Sequence, residues 1–338
     1  MKKDLRVRFE DIDCIMPGLA KQPDFFVELL SQKYNVIVLT GGTEEPDVLF
    51  YSCWGTNNVK WTQCIRIYYT AERFFPDFNM CDYAIGLANM GTCERFFRFP
   101  HYVFYNDILR KYENRQQNID ISQMLNRDFC STVVSDALRS PIFFDFFNKL
   151  NEYKPIASGG HWNNNVGGAV SNKLDFIKNY KFHIAFENVK ADDYVTEKIM
   201  ESFVARTIPI YWGSNSVKKD FGEGGYINIS DFDTLDRAID YIKKVDKDNH
   251  LYMQMLCHGA QISNTYEEWC ERLLNFLYNA IESGDRIFNK RLNWVYQEKH
   301  TYHRIRTSFI GQMYRKYKRT QYYIQKLWRK RIQKITRS

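Results

Sequence analysis

The stretch 181–213, KFHIAFENVKADDYVTEKIMESFVARTIPIYWG, gathers the side chains best able to do chemistry. An apolar run over 182–186 stops abruptly at Glu187 and Asn188. A polar loop then leads to Asp192 and Asp193, either of which could cap a helix start. Val195, Ile199, Phe203 and Val204 recur on one helical face, and a second apolar strand follows from Ile208 to Trp212. In such a strand–helix–strand unit ligands gather beyond the carboxyl ends of the strands, where helix N-termini also point. Glu187, Asn188, Tyr194, Glu197 and Lys198 are thereby brought to one mouth. A lysine in a first helical turn stands against the dipole, and the two positive fields together suit an anion such as a diphosphate. Spacing alone fits equally well with Glu197 and Lys198 as solvated residues of an amphipathic helix.

Those side chains need elements to hold them. Residues 4–9 (DLRVRF), 35–39 (NVIVL), 47–52 (DVLFYS), 65–69 (IRIYY) and 82–86 (DYAIG) are short β-branched and aromatic runs parted by turn residues. Helical or loop segments such as 23–30 (PDFFVELL) separate some of them, which is the rhythm of an open α/β sheet. Residues 105–127 are polar and carry no strand signal, so the crossing between two domains is placed there. A second series follows: a strand at 129–134, a helix near 139–152, the unit just described with its helix at 194–205, and a strand at 226–229. Helices at about 234–244 and 265–283 close it. The predicted organisation is an α/β domain over 1–122, a second over 123–303, and a tail over 304–338. The Gly- and Asn-rich stretch 158–168 (SGGHWNNNVGG) reads as a mobile loop.

The run FENVKADDYVTEKI followed by TIPIYWGS closely resembles the signature of the α1,3/4-fucosyltransferases, a family shared by bacteria and animals. The resemblance continues upstream through SGG, NNN and NKLDFIKNYKF, and downstream through SVKKDF and INISDFDTLDRAIDYIKK. In the first half it includes YYTAERFFPDFNMCDYAIG and RFFRFPHYVFY, so that it covers roughly residues 45–260. It implies two Rossmann-like domains facing across a cleft (GT-B type), with the acceptor held by the first and GDP-fucose by the second. It also implies inversion, β-L-fucose on the nucleotide becoming α-L-fucose on the product, which needs a single base. Glu72, in TAERFFPDF, matches the family position of that base, although the flanking Ala71 and Arg73 depart from the bacterial pattern. By the same resemblance Lys198 meets the phosphates with Asn188 nearby, Glu197 takes the ribose hydroxyls, and Tyr194 lines the nucleotide pocket. Arg139, in VVSDALRSPIFFDFF, matches an arginine that also reaches the phosphates. Glu72 and Arg139 each follow a predicted strand, which independently puts them at the cleft. The implied acceptor is an N-acetyllactosamine-like end of a lipid-linked glycan, fucosylated α1,3 on GlcNAc. The rival readings are a transferase using another nucleotide sugar, and a non-catalytic glycan-binding or membrane protein that keeps the fold.

Composition narrows the remaining classes. Hydrophobic residues make up 44% and charged residues 26%, the range of a soluble globular chain. No apolar run approaches the ~20 residues of a membrane span, and the first residues lack a signal-peptide core, so a cytoplasmic location on the inner face of the cell membrane is expected. The eight cysteines show no metal or redox spacing and read as buried thiols. Three Asp-x-Asp strings, at 11–13, 231–233 and 246–248, are too common to assign a metal. Asp231 and Asp233 read as helix caps, and with Lys198 and Arg139 as charge partners no obligatory metal or other cofactor is expected. The charge of +7 is unevenly spread: residues 304–338 hold 12 Lys and Arg and no acid, leaving 35 basic against 40 acidic residues elsewhere. Within that tail Ile310, Met313, Tyr314, Tyr317, Ile324, Trp328, Ile332 and Ile335 recur at helical spacing. A basic amphipathic helix of this kind suits an anionic membrane surface rather than nucleic acid.

Overall fold

The computed structural model describes residues 1–12, 22–72, 74–87, 90–103, 105–115, 118–135, 142–285, 301–305, 307–314, 316–318 and 320–321. Two sheets organise it. The first holds β1 (Asp4–Glu10), β2 (Asn35–Val38), β3 (Val48–Tyr51), β4 (Ile65–Tyr69), β5 (Tyr83–Gly86) and β6 (Phe96–Arg98), in the order β2-β1-β3-β4-β5-β6. The second holds β7 (Asp128–Thr132), β8 (Ile156–Ser158), β9 (Tyr180–Phe186), β10 (Ile208–Trp212) and β11 (Ile227–Asn228), in the order β11-β10-β9-β7-β8. Every pairing is parallel. Strands of a parallel sheet are covered on both faces, and β3, β4 and β10 are accordingly buried at every position.

The connecting helices are α1 (Gln22–Leu30), α2 (Ile108–Glu113), α3 (Ile121–Leu125), α4 (Phe143–Tyr153), α5 (Lys173–Ile177), α6 (Glu197–Val204), α7 (Val217–Phe221), α8 (Leu235–Lys247), α9 (Asn249–His258) and α10 (Tyr266–Ser283). Their starts differ from expectation in two places. The cap of α6 is Thr196, several residues beyond Asp192 and Asp193, and Asp193 instead turns the loop with a φ of 56°. Asp231 and Asp233 do not cap α8; Thr234 does, its hydroxyl accepting from Arg237 N–H. Helix α10 starts with a complete capping box, Thr265 with Glu268.

The largest apolar cluster reaches from the first sheet into the second domain, whose own strands pack in a separate cluster with α4 and α8. Ile199, Met200 and Phe203 of α6 pack in the same cluster as Phe26, Phe50 and Tyr69 around the first sheet. Tyr112 of α2 sits at this junction, its ring 6.1 Å from Phe203 and its hydroxyl donating to Ala260 O at 2.7 Å. Helix α10 lies within the range 123–303 yet packs on the first sheet's side. Trp269 meets Phe97 and Phe99 edge-on, Phe276 meets Tyr83, and Tyr34 donates to Glu282 at 2.8 Å.

The Gly- and Asn-rich loop is laced rather than loose. Asn164 bonds Gly160 O and Gly168 O and N, Asn165 bonds Ser158 N and Ile156 O, and Trp162 packs edge-on against Phe143, Phe144 and Phe147. The asparagine amides satisfy the turn backbone that the glycines leave bare. In the tail, the described residues between 301 and 321 are helical apart from a bend at Ser308. His303 is buried there, with Nδ1 2.8 Å from Thr56 Oγ1. Ile310, Met313, Tyr314 and Tyr317 are exposed, while Ile324, Trp328, Ile332 and Ile335 lie outside the described residues. Among the described residues no helix is long and apolar enough to cross a membrane.

Candidate active site

Strand β9 delivers Glu187 to its carboxyl end, where the backbone N–H still bonds Trp212 O at 2.8 Å. The Glu187 carboxylate is fully buried and answered by three donors. Oε1 accepts from Thr196 N–H at 2.7 Å; Oε2 accepts from Thr196 Oγ1 at 2.8 Å and from Lys198 Nζ at 3.1 Å. It therefore ties the strand end to the first turn of α6. Gly213 makes room for it, since a Cβ there would sit 2.3 Å from Tyr211 Oη and 2.7 Å from Glu187 Cγ. Ser214 and Ser216 hold the intervening loop through Asp193 N–H, at 3.0 Å each, and so fix the buried Tyr194 that follows.

Lys198 is thus not a bare cation set against a dipole. It lies between two carboxylates, 3.1 Å from Glu187 Oε2 and 4.0 Å from Glu197 Oε1. Burial opposes its charge, but Glu187 and then Glu197 outweigh that and hold its pKa above the usual lysine range. The Glu197 carboxyl is likewise disfavoured by burial and is held well below the usual range by Lys198 and then His101. Both groups stay ionised at neutral pH. Of the three protons on Nζ, one goes to Glu187 and one to Thr196 Oγ1 at 3.1 Å, leaving one donor for a ligand.

The first sheet contributes from the other side. Glu72 follows β4 by a short turn closed by its own N–H on Thr70 Oγ1 at 3.0 Å, and it is half-buried. Its charge reaches Tyr194: burial raises that phenol's pKa, Lys198 opposes the rise, and Glu187, Glu72 and Glu197 add to it. Just after β6, the 3₁₀ turn His101–Val103 brings His101 Nδ1 to 2.9 Å from Glu197 Oε2. Arg98 makes a two-pronged pair with Asp220 of α7 at 3.1 and 2.7 Å. A cavity of about 490 Å³ opens between Gly91 on one side and Asp192, Asp193, Asn215, Ser216 and Lys219 on the other. It adjoins the cluster through Asp193, the residue before Tyr194.

The N-terminal domain of the Alpha-(1,3)-fucosyltransferase FucT family matches residues 7–105, and the C-terminal part of Glycosyltransferase family 10 (fucosyltransferase) matches residues 126–276. The chain belongs to glycosyltransferase family 10. Alpha-(1,3)-fucosyltransferase FucT of Helicobacter pylori is 34% identical over 260 residues, 68% of this chain and 54% of that protein. The chain thus spans about half the length of that curated relative. Mouse 4-galactosyl-N-acetylglucosaminide 3-alpha-L-fucosyltransferase 9 is 32% identical over 112 residues, 32% of this chain and 30% of its own. A crystal structure of an alpha1,3-fucosyltransferase with GDP-fucose superposes with a TM-score of 0.70 at 27% identity, covering 86% of this chain and 94% of that one.

For a family 10 chain, the cluster holds both expected and unexpected members. Tyr194, Glu197 and Lys198 follow one another around the first turn of α6, Glu72 acts on the Tyr194 phenol from the first sheet, and Asn188 follows Glu187 at the strand end, half-buried. Arg139 lies outside the described residues. The sequence reading placed Glu187 at the mouth but missed that it is the anchor of Lys198. It also missed His101 and Arg98, whose partners are 96 and 122 residues away in the chain. Described members of the Asp-x-Asp strings make structural contacts: Asp11 accepts from Asn57 and Asn58 N–H groups, Asp246 pairs with Lys154 and Lys181, and Asp248 caps α9, while Asp13 lies outside the described residues. Among the described residues the cysteines are free thiols; Cys64, Cys81 and Cys130 are buried, whereas Cys257 is exposed.

Proposed function

We propose that the protein transfers L-fucose from GDP-fucose to a hydroxyl of an N-acetyllactosamine-like acceptor, α1,3 on GlcNAc, with inversion at the anomeric carbon. The observation that carries this reading is that Lys198, anchored by Glu187 at 3.1 Å, stands in the first turn of α6 beside Glu197, which the first domain reaches through His101 at 2.9 Å. Glu72 follows β4 at the carboxyl end of the first sheet and supplies the carboxylate that the reaction needs. In the reaction Glu72 takes the acceptor hydroxyl proton as that oxygen bonds to fucose C1. The bond from C1 to the β-phosphate oxygen breaks, and GDP departs with the electron pair. Lys198, with Arg139, meets the charge that grows on the diphosphate, a role fixed cations fill without an obligatory metal. Glu197 accepts from the ribose hydroxyls, and Asn188 and Tyr194 line the nucleotide. The relative named for 4-galactosyl-N-acetylglucosaminide supports the lactosamine acceptor. The basic segment 304–338 supports work at an anionic membrane surface on the cytoplasmic side, where lipid-linked glycans present such ends.

Incubation with GDP-fucose and a panel of type 1 and type 2 lactosamine acceptors, followed by determination of the product linkage, tests the reading. An α1,3-linked product is expected. Glu72→Gln keeps the shape but not the basicity, and turnover should fall about 10²- to 10⁴-fold with GDP affinity little changed. Transfer from another nucleotide sugar in preference to GDP-fucose, or full turnover by Glu72→Gln, overturns the corresponding part.

A further inference from the structure

Glu197 is addressed by a residue from the other domain. Its Oε2 lies 2.9 Å from His101 Nδ1, whereas its Oε1 is 4.0 Å from Lys198 Nζ, too far for a hydrogen bond. A carboxylate only accepts, so Nδ1 is the donor. The histidine is itself firmly set. It is 7% exposed, and its ring lies 4.9 Å from that of Tyr105. Three residues earlier Arg98 grips Asp220 with both terminal nitrogens, and Tyr102 packs its ring 4.9 Å from Phe221. The segment 98–102 is therefore clamped to α7 of the second domain on both sides of His101.

A glutamate in the first turn of a helix has several rotamers available, and two cations nearby could draw it to either. With Oε2 held by His101, the carboxylate plane is fixed at one end, and among the described residues no donor lies within hydrogen-bond distance of Oε1, which is 4.0 Å from Lys198. We propose that His101 is a positioning residue for the nucleotide donor: it holds Glu197 so that the free oxygen accepts from the vicinal ribose hydroxyls. This rests on the assignment of Glu197 to the ribose. It means that the donor site, built otherwise from the second sheet, is completed by the first.

Calorimetry with GDP and with 2′,3′-dideoxy-GDP separates the possibilities, using wild type, Glu197→Gln, His101→Ala and His101→Asn. Wild type should prefer GDP by about 10- to 100-fold, the effect of a charged hydrogen bond, and Glu197→Gln should lose most of that preference. His101→Ala should lose about 10-fold in GDP affinity while binding the dideoxy nucleotide as wild type does. His101→Asn, whose amide nitrogen can take the place of Nδ1, should recover most of the loss. In turnover, His101→Ala should raise KM for GDP-fucose and leave kcat nearly unchanged. If His101→Ala keeps the full preference while Glu197→Gln loses it, the ribose assignment stands and the positioning role is overturned. If His101→Ala weakens both nucleotides alike, the histidine is merely structural and the proposal also falls. Absence of any preference in wild type overturns the ribose assignment and the proposal together.

Discussion

Lys198 Nζ spends two of its three protons inside the protein, on Glu187 and on Thr196 Oγ1, and this divides its contribution in two. The bond to Glu187 is a stability term, because that carboxylate is fully buried and would otherwise keep only the Thr196 donors. Removing one partner of such a pair strands the other charge, so Lys198→Met should lower unfolding free energy by about 3 kcal/mol. The third proton is the donor-binding term, and the same variant should bind GDP at least about 10-fold more weakly. Adding Glu187→Gln should restore part of the stability, since the Glu187 charge is gone while Glu197 keeps His101 as its partner, and none of the GDP affinity. Urea midpoints and calorimetry of the single and double variants read the two terms apart. Wild-type GDP affinity in Lys198→Met would remove the lysine from the donor site. From the sequence, a lysine in a first turn reads as a spare positive charge. The end of β9 before Glu187 is legible as the stop of an apolar run, but that Glu187 answers the lysine also depends on Gly213 leaving space beside it, which spacing does not reveal.

Helices and strands were far more legible than that pairing. β4, β9 and β10 announce themselves as apolar runs ended by polar residues, because a parallel strand is covered on both faces. The short strands β6 and β8, three residues each, carry no such run and were missed. The start of α6 was misplaced because two aspartates precede it, and Asp193 is instead held in the loop by Ser214 and Ser216 while Thr196 bonds Glu187. Strand β9 also carries a titrating group that the mechanism does not use. His183 is buried at its centre, 2.9 Å from Ser131 Oγ, and burial, then the charge of Lys173, pushes its pKa well below the usual histidine range. The folded protein thus keeps His183 neutral while the unfolded chain protonates near pH 6.5. Below that pH the unfolded state binds the extra proton, so the stability is present above about pH 6.5 and is lost as pH falls, by up to about 1.4 kcal/mol per unit from this group. His183→Asn does not titrate and can still meet Ser131, so its stability should fall less steeply between pH 7 and pH 5.5. Equal slopes for the two proteins, measured by urea unfolding, would mean that His183 is not the source.

At the scale of the whole molecule, the two sheets are joined by a shared core and by polar clasps, Arg98 to Asp220 and His101 to Glu197. The tail stands apart from this body in charge, and its contact with the body is made early. His303 is buried against Thr56, whereas Ile305, Phe309, Ile310, Met313, Tyr314 and Tyr317 are all more than half exposed. The described residues of the tail leave six apolar and aromatic side chains in water, and the membrane role proposed above predicts that a lipid surface covers them. A chain ending at Arg304 retains His303 and every residue assigned to transfer, and should keep its fold and its activity on a small soluble acceptor. It should lose binding to anionic vesicles, toward which each basic residue near the surface contributes about 1 kcal/mol. Raising the salt should weaken the binding of the full chain without abolishing it, because the apolar stripe that continues through Trp328 adds attraction that ions do not screen. Co-sedimentation of both chains with phosphatidylserine-rich and neutral vesicles at two salt concentrations decides the matter. Equal sedimentation of the two chains, or binding that ignores lipid charge, would take the membrane role away from the tail.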